Sequence, residues 1–231
     1  MLRAEGEIDR CSAYAVADLQ YALQVDSQHP RANRLLLAMT SEQGKWRQAL
    51  RLAETASRLD PDDAWTRLKH ASVLLALDRP EEARVVLDRV MGMATTSPLV
   101  LAQASRLAGR IELTKKSPDY TKAVEYFGES IRRAAPLLTK PAPAIQAAAR
   151  EVLLDAHVGT ALGIARGTWQ QKSRVIPKWI SRADGIVKDF KGDETERQVL
   201  ELQLCRGALT VAAGTTEAIE PLPWVKRLLE L

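Results

Sequence analysis

The sequence is poor in the residues that most often carry chemistry. It has only 2 cysteines, far apart at Cys11 and Cys205, and no CxxC or Cys/His cluster, so neither a disulfide scaffold nor a zinc site is indicated. It has 3 histidines: His29 precedes a proline, while His70 and His157 fall within helical stretches. None has a metal-ligating neighbour at useful spacing on a shared face with a second histidine. Nucleophile-elbow, dinucleotide-binding and phosphate-loop motifs are all missing. Aromatic residues make up 5% of the chain, too few for a β-sandwich. The least charged stretch, residues 90–105, is broken by Thr95, Thr96, Ser97 and Pro98, and falls short of the ~20 apolar residues of a membrane span. The first ten residues, MLRAEGEIDR, lack the apolar core of a signal peptide. A cytoplasmic location is the default expectation, and a periplasmic one stays open if the chain is a fragment.

What the chain does have is alanine, leucine and charge. It is 46% hydrophobic and 27% charged over 231 residues, enough to build a core and too balanced for disorder. The net charge of +4 is well below that of a dedicated nucleic-acid binder. The bias toward Ala and Leu favours helices.

Four segments align on Ala17, Ala49, Ala83 and Ala123, spaced by 32, 34 and 40 residues. Three residues before each stand Tyr14, Trp46, Pro80 and Tyr120; four after stand Tyr21, Ala53, Leu87 and Phe127. These offsets share one helix face, where a small residue admits a close neighbour and bulky ones fill the flanking grooves. Apolar-periodic stretches at Arg31–Gln43, Ala64–Leu77 and Leu99–Leu113 precede the last three segments. Gly44, Asp78 with Pro80, and Ser117 with Pro118 punctuate the pairs, while Asp60-Pro61-Asp62-Asp63 and residues 95–98 separate one pair from the next. The unit is helix, turn, helix, turn, recurring at about 34 residues.

Gly44 to Pro61 and Asp119 to Phe127 resemble the second half of a tetratricopeptide repeat, with Ala49, Ala56 and Pro61 at the family's small and proline positions. Gln24, Val90 and Ser130 depart from its second alanine. The resemblance implies an all-α fold, an α-α superhelix of antiparallel helix pairs. It places repeats at residues 4–30, 31–63, 64–97 and 98–141. Residues 142–231 read as degenerate helical repeats, with helices at Ala142–Arg166, Ile176–Phe190 (Pro177 in its first turn), Glu194–Ala213 and from Pro223 on; the alternative is a separate helical subdomain. Both ends read as cut, because Met1–Asp9 is too short for a first helix and the last helix has no pair; the alternative is that the short terminal helices are its caps. Gly159, Gly163 and Gly167 form a smooth helical stripe, expected to pack closely against a neighbouring helix.

In the family, first helices of successive pairs line a groove for an extended or helical peptide. Register from the alanine anchors turns Arg31 and Arg34 inward in one pair, Trp65, Lys69 and Ser72 in the next, and Arg106, with Arg110 beside it, in the third. The clamp by which some members hold a chain-terminal carboxylate is not expected, since Asn33 is off by one and is the only asparagine. The implied function is a non-catalytic protein-interaction scaffold without cofactors, whose partner segment is acidic or ends in a carboxylate. The alternative is a regulatory or targeting module of a larger enzyme or of a secretion or assembly protein. The basic stretch from Arg166 to Lys191, with Trp169 and Trp179 interleaved, is expected to be a solvated face behind a core face; nucleic-acid binding through it is a disfavoured third reading.

Overall fold

Proline and aspartate set where the helices begin. In the computed structural model, which describes residues 2–94, 96–215 and 218–231, with side chains from Tyr14 onward, Pro30, Pro80, Pro98 and Pro143 each stand in the first turn of a helix, where the missing N–H has no intrahelical role. Asp63, Asp119 and Asp193 accept hydrogen bonds from the first backbone N–H groups of theirs. His29 does the same through Nδ1, 3.2 Å from the Ala32 amide. The buried Asn33 side chain donates to the carbonyls of Ser27 and His29, pinning the turn ahead of its helix. That contact is what the lone asparagine does here.

The described residues form eleven α-helices and no strand. They divide into two compact units, Met1–Thr95 and Thr96–Leu231. The first unit holds α1 (Leu2–Val25), α2 (Pro30–Glu42), α3 (Trp46–Leu59), α4 (Ala64–Ala76) and α5 (Pro80–Met91). Consecutive helices pack against one another, and α2 also touches α4. Ala49 and Ala53 of α3, both fully buried, meet Leu37 of α2 and Val73 of α4 in one cluster. The second unit holds α6 (Pro98–Thr114), α7 (Tyr120–Ala134), a short 3-10 turn at Ala135–Thr139, α8 (Pro143–Arg166), α9 (Lys172–Lys188), α10 (Glu194–Gly214) and α11 (Leu222–Leu229). The 3-10 turn packs on α7 and α8, and α8 touches α6, α7, α9 and α10. The chain therefore parts at residues 95/96, while the Lys140–Pro143 stretch lies inside the second unit.

Two sequence expectations change. Segment 4–30 is not a helix pair: α1 runs unbroken from Leu2, because no proline interrupts it. Its anchor Ala17 is exposed, as are Tyr14 and Tyr21, whereas Ala83 and Ala123 are fully buried like Ala49. The small-residue register is thus matched by burial in three segments. Pro177 lies inside α9 instead of in its first turn, since Gln171 takes a left-handed conformation (φ 55°) and launches the helix at Lys172. Cys205 is buried in α10, and burial pushes its thiol above the usual range; Cys11 lies outside the described side chains.

The turns after α2 and α4 are built alike. Gly44 and Asp78, 34 residues apart, both have positive φ (68° and 57°). The next amide closes the helix each time: Lys45 N donates to Thr40 O and Arg79 N to Leu74 O, both at 2.9 Å. A Cβ at Gly44 would meet only the Trp46 ring at 3.9 Å, so its conformation, not its space, is the constraint. Gly44→Ala is expected to cost about 1 kcal/mol in chemical unfolding, while Asp78→Gly raises stability slightly.

A buried ionic cluster holds α11. Arg227 pairs with Asp184 of α9 at 2.6 Å and bonds Glu201 of α10 through both Nε and a terminal nitrogen, the latter at 2.9 Å. Glu201 has a side-chain exposure of 5%. Burial pushes the Asp184 carboxyl up, but hydrogen bonds and charge from Lys188 and Arg227 outweigh it and hold it below the usual 3.8. Its contribution is complete above that value and is lost as pH falls through the lower folded one. Arg227→Met strands the buried Glu201 and is expected to cost about 3 kcal/mol at neutral pH, most of it recovered by adding Glu201→Met. Urea unfolding at pH 7 measures both.

Candidate functional site

Within the second unit, α6, α8 and α10 lie side by side, with α7 and α9 packed behind them. Close approach is made possible by glycine. Phe127 of α7, fully buried, lies against Gly109 of α6 and Gly159 of α8; a Cβ at Gly109 would stand 3.0 Å from its ring, and one at Gly159 would overlap it. A Cβ at Gly163 would stand 2.9 Å from Val124 of α7. A Cβ at Gly207 of α10 would stand 2.6 Å from Val158 of α8. Two glycines of the predicted stripe thus serve helix packing; the third, Gly167, abuts Trp169 in the turn after α8.

These three helices line an open cavity of 580 Å³. Its floor is apolar, with Leu154, Val158 and Leu162 above Phe127. Its rim is charged. Arg106 of α6 donates to Asp155 of α8 at 2.8 Å, and its Nε is buried without a partner. Arg110, Arg166 and Arg206, from α6, α8 and α10, also border the cavity, and all three are exposed. Glu151 is the other acid on the rim.

In the first unit the sequence-predicted row gathers around one indole. The Arg34 guanidinium lies 4.7 Å from the Trp65 ring centroid, and the Lys69 ammonium 5.5 Å from it. Arg34 also pairs with Asp63 at 3.3 Å, so its charge is partly spent within the unit. Arg31 lines a 520 Å³ hollow with Arg34, Asp60 and Asp63. Ser72 turns its hydroxyl back to the Leu68 carbonyl at 3.0 Å. Arg106 lies in the second unit, on the rim of the 580 Å³ cavity. Of the predicted set, Arg34, Trp65 and Lys69 come together.

Register mapping missed Arg166 and Arg206, because the repeat pattern fades past Pro141. A signal remained at Ala183 of α9. Ile180 stands three before it and Val187 four after, the offsets of the earlier anchors, and all three are buried. His157 packs against Trp179 with the rings tilted by 38° and centroids 5.5 Å apart, and burial, with a smaller push from Arg182, lowers its pKa to about 4. It is a neutral packing residue at physiological pH. Among the described residues no cluster of His, Cys, Asp and Glu could hold a metal ion, and no helix is long and apolar enough to cross a membrane.

The tetratricopeptide-repeat family model matches residues 41–107. Over that stretch the sequence is similar to tetratricopeptide repeats. Solved structures extend the likeness in fold across the chain. The crystal structure of PilW, a widely conserved type IV pilus biogenesis factor, superposes with a TM-score of 0.65 at 15% identity, covering 99% of this chain and 90% of that one. Human IFIT1, solved as a dimer with m7Gppp-AAAA, gives 0.59 at 15% identity and covers 95% of this chain and 46% of its own. No curated protein matches the sequence. The chain is an all-α protein of tetratricopeptide-like helix pairs.

Gly159→Ala is expected to cost about 1–3 kcal/mol by forcing Phe127 out of its slot. Thermal melting followed by circular dichroism measures the loss.

Proposed function

We propose that the chain is a non-catalytic scaffold that binds a segment of a partner protein in the α6–α8–α10 groove. Repeats of this family generally mediate protein–protein interaction and are typically non-catalytic. The observation that carries the reading is the 580 Å³ cavity, with an apolar floor to take side chains and a rim of four arginines to orient them. The rim favours a segment that is acidic or ends in a carboxylate. In the first unit, Trp65 flanked by Arg34 and Lys69, with Arg31 nearby, supplies a second and smaller contact of the same preference. Trp and Arg are the commonest interface hot spots.

Thr210 lies exposed on α10 at the cavity wall, so Thr210→Trp fills the groove without entering the core. Degenerate pools of fluorescent 15-residue peptides, titrated by anisotropy, are expected to bind in the micromolar range and to weaken as salt is raised. Thr210→Trp should reduce affinity at least tenfold, and Trp65→Ala by a smaller factor. Binding that is indifferent to Thr210→Trp would remove the groove as the site.

A further inference from the structure

Several arginines of this chain are paired with an acid on their own helix. Arg79 pairs with Glu82, Arg84 with Asp88, Arg132 and Arg133 with Glu129, and Arg197 with Glu194, all three or four residues apart on one helix. Arg110, Arg166 and Arg206 have no acid at those offsets. Their neighbours there are Arg106, Leu107, Leu113 and Thr114; Leu162, Gly163, Trp169 and Gln170; Leu202, Gln203, Leu209 and Thr210. Among the described residues none of the three makes an ion pair. Yet they come from three different helices to the edge of one cavity. With Arg106 neutralised by Asp155, Glu151 is left to face the three, so the lining carries two uncompensated positive charges.

Resting on the α6–α8–α10 groove as the peptide site, we propose that Arg110, Arg166 and Arg206 form a receptor for one dianionic group on the bound segment, a phosphorylated serine or threonine. A phosphate monoester carries close to two negative charges at neutral pH and offers three oxygens to planar guanidinium forks. A chain-terminal carboxylate offers two oxygens and one charge, which a single fork satisfies. A nucleic acid would bring the same phosphates, but its bases need aromatic faces. The one aromatic residue at this cavity, Phe127, is fully buried. The apolar floor instead suits the side chains that flank the phosphorylated residue in a peptide.

The test uses degenerate 15-residue peptide pools with a central serine, phosphoserine or Glu-Glu pair, titrated by anisotropy into the full chain at constant ionic strength. The phosphoserine pool is expected to bind at least tenfold tighter than the serine pool, with Glu-Glu between them. Arg110→Gln, Arg166→Gln and Arg206→Gln should each reduce that gain several-fold, and on the triple variant the phosphoserine pool should bind no tighter than the serine pool does to that same variant. These positions are exposed, and an unchanged melting curve confirms that the fold is intact. Equal binding of the serine and phosphoserine pools, or a gain that survives the triple variant, overturns the proposal. If Thr210→Trp still weakens such binding, the groove reading stands alone; if no pool binds, both fall. Displacement of the phosphoserine pool by a lower concentration of a 15-nucleotide single strand also overturns it.

Discussion

The insertion of Phe127 between α6 and α8 is the contact on which the second unit depends. The ring is fully buried and lies against glycine on both sides, at Gly109 and Gly159. Truncating a buried phenylalanine typically costs about 3–5 kcal/mol. Here the ring has a second consequence: it lies beneath the cavity, so it fixes the separation of the two helices that carry Arg106, Arg110, Asp155 and Arg166. Core packing and groove geometry are set by one side chain. The neighbouring pairs Gly163–Val124 and Gly207–Val158 repeat the arrangement with smaller partners and carry it across to α10.

Much of this was written in the sequence where a residue type had a single local job. Aspartates and prolines mark helix starts, and the small residues at Ala49, Ala83 and Ala123 mark buried crossings, because both effects depend on a few adjacent residues. Ala17 shows the limit of such marks. The same offsets stand around it, but a small residue is buried only where another helix covers it, and the pattern on α1 cannot report that. The groove was harder still. Arg34, Trp65 and Lys69, which cluster in the first unit, stand on helices whose register clean repeats fix, whereas the groove residues Arg166 and Arg206 sit on helices whose repeat signature has decayed. Burial of Ile180, Ala183 and Val187 shows that the packing outlived the signature: apolar residues of several shapes can fill one face at similar cost.

Charge is partitioned in the same way. Arg79, Arg84, Arg132, Arg133 and Arg197 are matched by acids one turn away on their own helices. Around Glu201 the match is long-range and buried, and it ties α11 to α9 and α10. Along the groove, three arginines from three helices stand without an acid partner. The two kinds of pairing hold the fold together, and the surplus is available to something outside it.

The twin turns at Gly44 and Asp78 bear on how this chain can change in length. Each turn resets the backbone to the same left-handed conformation before the next helix, one repeat apart. Excising residues 45–78 would join Gly44 to Arg79, keeping the turn that each helix expects and the phase of every face downstream. Losing a single residue inside α3 would instead rotate the remainder of that helix by about 100° and turn buried alanines toward water. The architecture is therefore elastic in whole repeats and brittle to anything less, so insertions and deletions in its lineage should come in steps of roughly thirty-four residues or fall within the turns.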